Sequence, residues 1–88
     1  MSAGPARGEA KRSADLFTHR PVKQSFSIRG HRTSISLEAA FWQALREAAE
    51  REGHSLARLV ADIDAARGDT NLSSAVRVWV LGYWRART

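Results

Sequence analysis

At Leu37 the spacing of apolar residues in this chain changes. Upstream, Thr33, Ile35 and Leu37 alternate with Arg32, Ser34 and Ser36, which is the period of a strand with one apolar and one polar face. Downstream, Leu37, Phe41, Leu45, Ala48 and Ala49 recur at helical spacing. A short strand that runs straight into an amphipathic helix restricts the fold severely. An isolated strand is not stable in water, so another segment has to cover and pair with it.

Val22 to Ile28 is a second strand candidate. Phe26 and Ile28 alternate there with Ser25, Ser27 and Arg29. Their parity is opposite to that of Ile35 and Leu37, and Gly30-His31 is where the phase can switch. A two-residue hairpin loop at Gly30-His31, Gly first as a type II′ turn requires, sets Phe26 opposite Ile35 and Ile28 opposite Thr33. The apolar residues of both strands then share one face. The other face presents Ser25, Ser27, Arg29, Arg32, Ser34 and Ser36. Arg29 opposite Arg32 is a like-charge pair that costs a little. A bulge at Gly30 within one long strand is the competing arrangement.

Three helices follow. The first is predicted from about Glu38 to Glu52, with Ser36 or Leu37 at its cap and Glu38 favouring the positive end of the helix dipole. Gly53 stops it where a left-handed residue is wanted. Ser55 is the N-cap of the second, whose apolar stripe is Leu56, Leu59, Val60 and Ile63. Arg67-Gly68-Asp69 ends that helix. Asn71 or Ser73 caps the third, Leu72 to about Arg85, where Val76, Val78, Trp79, Val80, Leu81, Tyr83 and Trp84 nearly encircle the axis. A helix apolar on most sides is buried on most sides, and in so small a protein a second chain is the natural cover. No internal repeat is evident.

Eighty-eight residues make one small domain. Residues 1–21 are poor in large apolar side chains, with Leu16-Phe17 their one apolar pair, and read as a disordered basic tail. Residues 22–88 form the folded domain. The net charge of +5 is placed unevenly. Residues 1–36 hold seven Lys/Arg against two Asp/Glu, whereas residues 37–88 hold seven of each. Positive charge concentrated on the tail and strands points to a polyanionic partner. The chain has no cysteine, so disulfides and thiolate metal sites are excluded and a cytoplasmic setting fits. No apolar run approaches the roughly 20 residues of a membrane span, and no apolar core follows the basic N-terminus as a secretory signal requires. His19, His31 and His54 have no carboxylate at metal-ligand spacing, and no nucleophile-base-acid set or phosphate loop is present. The sequence therefore indicates neither an enzyme nor a cofactor. Trp42, Trp79 and Trp84, at helical spacing beside Phe41 and Val80, read as core or dimer seam rather than as platforms for bases.

The alternating strand Thr33-Ser34-Ile35-Ser36-Leu37, the helix with Phe41, Leu45 and Ala49, the link Glu52-Gly53-His54-Ser55, and Leu56, Leu59, Val60 and Ile63 together resemble the Arc/MetJ-like ribbon-helix-helix family. Gly-His-Arg-Thr-Ser-Ile-Ser-Leu-Glu, residues 30–38, is similar to a bacterial subfamily of these domains. The resemblance implies a mainly α fold with a short β ribbon, built as an intertwined homodimer. Here it would be extended by an N-terminal strand and a third, C-terminal helix. It implies that two antiparallel strands enter the major groove of double-stranded DNA, with Arg32, Ser34 and Ser36 facing the bases and Arg29 on the same surface. The backbone amides of His54 and Ser55 would hold phosphates, as free N–H groups at a helix start attract anions. The implied function is sequence-specific transcription regulation by a homodimer. An antitoxin-like or adaptor module that binds another protein is the alternative.

Overall fold

The computed structural model describes residues 20–88. The predicted tail, apart from Arg20 and Pro21, lies outside the described residues, as does Leu16-Phe17. Strand β1, Val22–Ile28, and strand β2, His31–Leu37, precede helices α1, Ala39–Glu52, α2, Leu56–Ala66, and α3, Leu72–Arg85.

The two strands form an antiparallel hairpin, not one bulged strand. The loop is Arg29-Gly30 rather than the expected Gly30-His31. Both residues have positive φ, 51° and 79°, as a type I′ turn demands. Ile28 therefore pairs with His31, Phe26 with Thr33, Gln24 with Ile35 and Val22 with Leu37. The shift separates Arg29 from Arg32, which now lies opposite Ser27. It also lets Arg29 reach Asp64 of α2 at 3.2 Å. Removing the like-charge pair and gaining this contact both act against the cost of a non-glycine residue at positive φ.

The resemblance implied a ribbon with one strand from each of two copies. Here β1 of the same chain supplies the second strand. Ile35 and Leu37 are 1% and 0% exposed within a single chain. All three helices touch the ribbon on that apolar face. Between the layers lie Ile28, Ile35, Leu37, Trp42, Leu45, Val60, Ile63, Val76 and Val80. Full burial of one such side chain contributes about 1.5–3 kcal/mol. Trp42 belongs to this core. Its ring stacks on Phe26 with centroids 5.9 Å apart, and its Nε1 donates to the Val22 carbonyl at 2.8 Å. This side chain ties the open end of the hairpin to α1.

The helix ends follow the sequence closely, with one correction. Glu38, not Ser36 or Leu37, is the N-cap of α1, and its side chain makes no capping bond. Its carboxylate instead meets Arg77 of α3 at 3.1 Å. Gly53, at φ 72°, ends α1 in a left-handed turn. Ser55 caps α2 by accepting from the Arg58 amide, and Asn71, not Ser73, caps α3 by accepting from Ser73 and Ser74. Much of the apolar circumference of α3 is covered within the chain. Val76, Val80 and Tyr83 are buried, Trp79 and Trp84 half-buried, and Trp84 Nε1 donates to the Ala44 carbonyl at 3.1 Å. Val78 and Leu81 stay exposed, at 68% and 56%.

Candidate nucleic-acid interface

Because side chains alternate along a strand, turning Phe26, Ile28, Ile35 and Leu37 toward the helices turns the other set outward. The outward set is Lys23, Ser25 and Ser27 on β1 and Arg32, Ser34 and Ser36 on β2, all exposed. Cross-strand pairs join Lys23 to Ser36, Ser25 to Ser34 and Ser27 to Arg32. The Ser25 and Ser34 hydroxyls are 3.2 Å apart. The face is thus low in the middle, where only serines project, and carries a long cationic side chain toward each end.

The electrostatics set this face apart. No Asp or Glu occurs between Asp15 and Glu38. Lys23 and Arg32 take part in no ion pair among the described residues. In the helices, by contrast, Arg58, Arg67, Arg77 and Arg87 pair with Asp62, Asp64, Glu38 and Glu52. The Glu38 carboxyl is held below the usual carboxylate range by a hydrogen bond from its own backbone and by Arg77. Glu52 is lowered by the Tyr83 hydroxyl, which donates to it at 2.7 Å, and then by Arg87, His54 and Arg51. A ribbon with unopposed cations, two strands wide, has the dimensions and charge that the major groove admits.

The predicted site residues divide. Arg32, Ser34 and Ser36 share the exposed face with Ser25 and Ser27, as expected. Arg29 does not: it sits in the turn and leans to Asp64. His54 is also displaced from its expected role. Its amide donates to the Ala49 carbonyl at 2.9 Å, closing the C-terminus of α1, so it is not a free anion donor. Its Nδ1 is buried without a partner. The amide of Ser55 makes no hydrogen bond among the described residues, and neither do those of Leu56 and Ala57 that follow it. The open donors of α2 therefore begin one residue later than expected. They stand about 14 Å along the helix axis from Asp64, where α2 meets the hairpin turn. Lys23 was missed. The alternation that picked out Ser25 and Ser27 reaches it when carried back one further step.

With the hairpin, the helix order and the Gly53-His54-Ser55 link in place, comparison with known families is decisive. The ribbon-helix-helix domain profile matches residues 21–84. The chain belongs to the ribbon-helix-helix family. Domains of this family are regulatory DNA-binding modules rather than enzymes, and are typically found in transcription regulators or antitoxins. The match includes β1 and nearly all of α3, so both additions to the minimal strand-helix-helix unit fall inside it. Neither the curated proteins nor the solved structures yield a match to the chain. No helix among the described residues is long and apolar enough to cross a membrane.

Proposed function

We propose that this ribbon-helix-helix protein is a sequence-specific, DNA-binding transcription regulator. Each protomer offers its own hairpin to the major groove, and a homodimer reads the two halves of a symmetric site. The observation that carries the reading is the exposed ribbon face, whose Lys23 and Arg32 make no ion pair among the described residues. Arg32 supplies base preference, since a guanidinium can bond guanine in the groove with two parallel hydrogen bonds. Ser34 and Ser36 are short and discriminate weakly. Ser55 and the next two amides of α2 supply phosphate contacts.

The second copy seats on α3. Val78 stands between two apolar grooves, one bounded by Ala40, Ala44 and Trp84, the other by Ile63, Ala66 and Trp79. A ridge flanked by grooves is complementary to its own two-fold copy. Selection from a random duplex pool near physiological salt tests the DNA reading, and failure to retain any duplex defeats it. Mass in solution, with and without the selected duplex, tests the dimer. A monomer that co-purifies with another protein masking Trp79 or Trp84 instead favours the antitoxin-like alternative, for which the exposed Val78 and Leu81 are equally suited.

A further inference from the structure

The two strands repeat each other. On the outward face β1 reads Lys23-x-Ser25-x-Ser27 and β2 reads Arg32-x-Ser34-x-Ser36. On the inward face Phe26 and Ile28 of β1 correspond to Ile35 and Leu37 of β2. The repeat goes unnoticed in the linear sequence, because Arg29-Gly30-His31 interrupts it and few residues are identical. The register gives it meaning. Ser25 and Ser34 form the middle pair of the ladder, with Lys23 opposite Ser36 on one side and Ser27 opposite Arg32 on the other. Half a turn about an axis through that middle pair carries Lys23 onto Arg32, Ser25 onto Ser34 and Ser27 onto Ser36. The two hydroxyls, 3.2 Å apart, straddle the axis. One chain thus builds a ribbon with the internal two-fold symmetry that two separate copies would otherwise create.

On the DNA-binding reading above, on which this rests, we infer that Lys23 is the counterpart of Arg32. A single ribbon grips both ends of a short, nearly palindromic stretch of duplex. Lys23 and Arg32 lie four residues apart along the ribbon, about 14 Å at the rise of a strand. That distance matches roughly four base-pair steps. Both side chains are exposed, on one face and without an ion pair among the described residues, so both can reach base edges. Arg32 offers guanine a planar fork and Lys23 a single charged amine, so the two ends are read with unequal strictness.

The test uses the full chain and a duplex pool with a random core, comparing wild type with Lys23→Ala, Arg32→Ala and Lys23→Arg. The expected result is a loss of roughly tenfold or more in affinity for the selected duplex from either alanine variant. Each loss should relax base preference at a different end of the core, and Lys23→Arg should yield a more symmetric motif. Unchanged melting by circular dichroism in all variants shows that the fold is kept, as the exposure of both residues predicts. Wild-type affinity and motif in Lys23→Ala, beside a large loss in Arg32→Ala, overturns the inference and leaves the DNA-binding reading standing. Uniform weakening by Lys23→Ala on every sequence, with the motif intact, places Lys23 on phosphate and overturns it equally. Duplex left unbound by the wild type sinks both.

Discussion

The ribbon and the helical layer use the same residue types in opposite ways. In the helical layer most arginines are structural, Arg46 and Arg85 being the two without an ion pair or aromatic contact among the described residues. Arg77 joins α3 to Glu38 at the start of α1, Arg87 joins the end of α3 to Glu52, and Arg51 lies over the Trp84 ring with 5.5 Å to the centroid. Residues 37–88 carry no net charge, and four of their arginines meet a carboxylate. On the outward face of the ribbon, Lys23 and Arg32 make no ion pair or side-chain hydrogen bond among the described residues. A cation kept dry of counter-charge on a surface of serines gains most of its interaction energy from a ligand that brings the anion. The contrast teaches where to look for function in a small basic domain: at unpaired positive charges that share one face carrying no acidic residue, rather than at their total number.

The largest expected effect breaks the helical side of the contrast. Leu45→Ala, at a site that is 0% exposed, should cost about 2–5 kcal/mol in a urea titration. Any protein still folded should bind DNA normally. Next, Arg32→Ala and Arg77→Ala should give complementary results. Arg32→Ala should lose about 1–3 kcal/mol of DNA binding, relax base preference and leave the denaturation midpoint in place. Arg77→Ala should lose at most about 1 kcal/mol of stability, because its pair with Glu38 is partly solvated, and should leave the base preference unchanged. Equal effects of the two arginines on both measurements would erase the distinction. The smallest effect is on pH dependence. Glu38 and Glu52 have folded-state pKa values below their ordinary ones. Their stabilisation is therefore complete above the unfolded carboxylate value and is lost as pH falls through the lowered folded values. Denaturant midpoints should decline below about pH 4.5. The decline should be shallower in a Glu38→Gln/Glu52→Gln variant.

Most of the fold was legible in the sequence, for identifiable reasons. The period change at Leu37 marked strand and helix, and Gly53 and Ser55 marked the turn between helices. The hairpin was legible and its turn was not. Moving the loop from Gly30-His31 to Arg29-Gly30 shifts the pairing by two residues, which leaves every side chain on the same face. An argument from faces cannot separate those registers. The like-charge pair of Arg29 and Arg32 was the signal that could. The N-cap of α1 was illegible because Glu38 makes no capping bond there and turns its carboxylate to Arg77, thirty-nine residues away. The role given to His54 failed for a local reason: ending α1 at Gly53 uses the next amide to close the turn. Arg32, Ser34 and Ser36 were legible from alternation alone, and Lys23 by the same rule carried one step further.

A ribbon made from two copies of one strand is bound to be identical on both sides, since one codon specifies both. The hairpin of this chain is free of that bond. Lys23 and Arg32 are separately encoded, so one substitution changes one end of the ribbon and leaves the other as it was. On the proposed reading, each half of the target can drift away from its own inverted symmetry, one letter at a time, while the two protomers keep the halves alike.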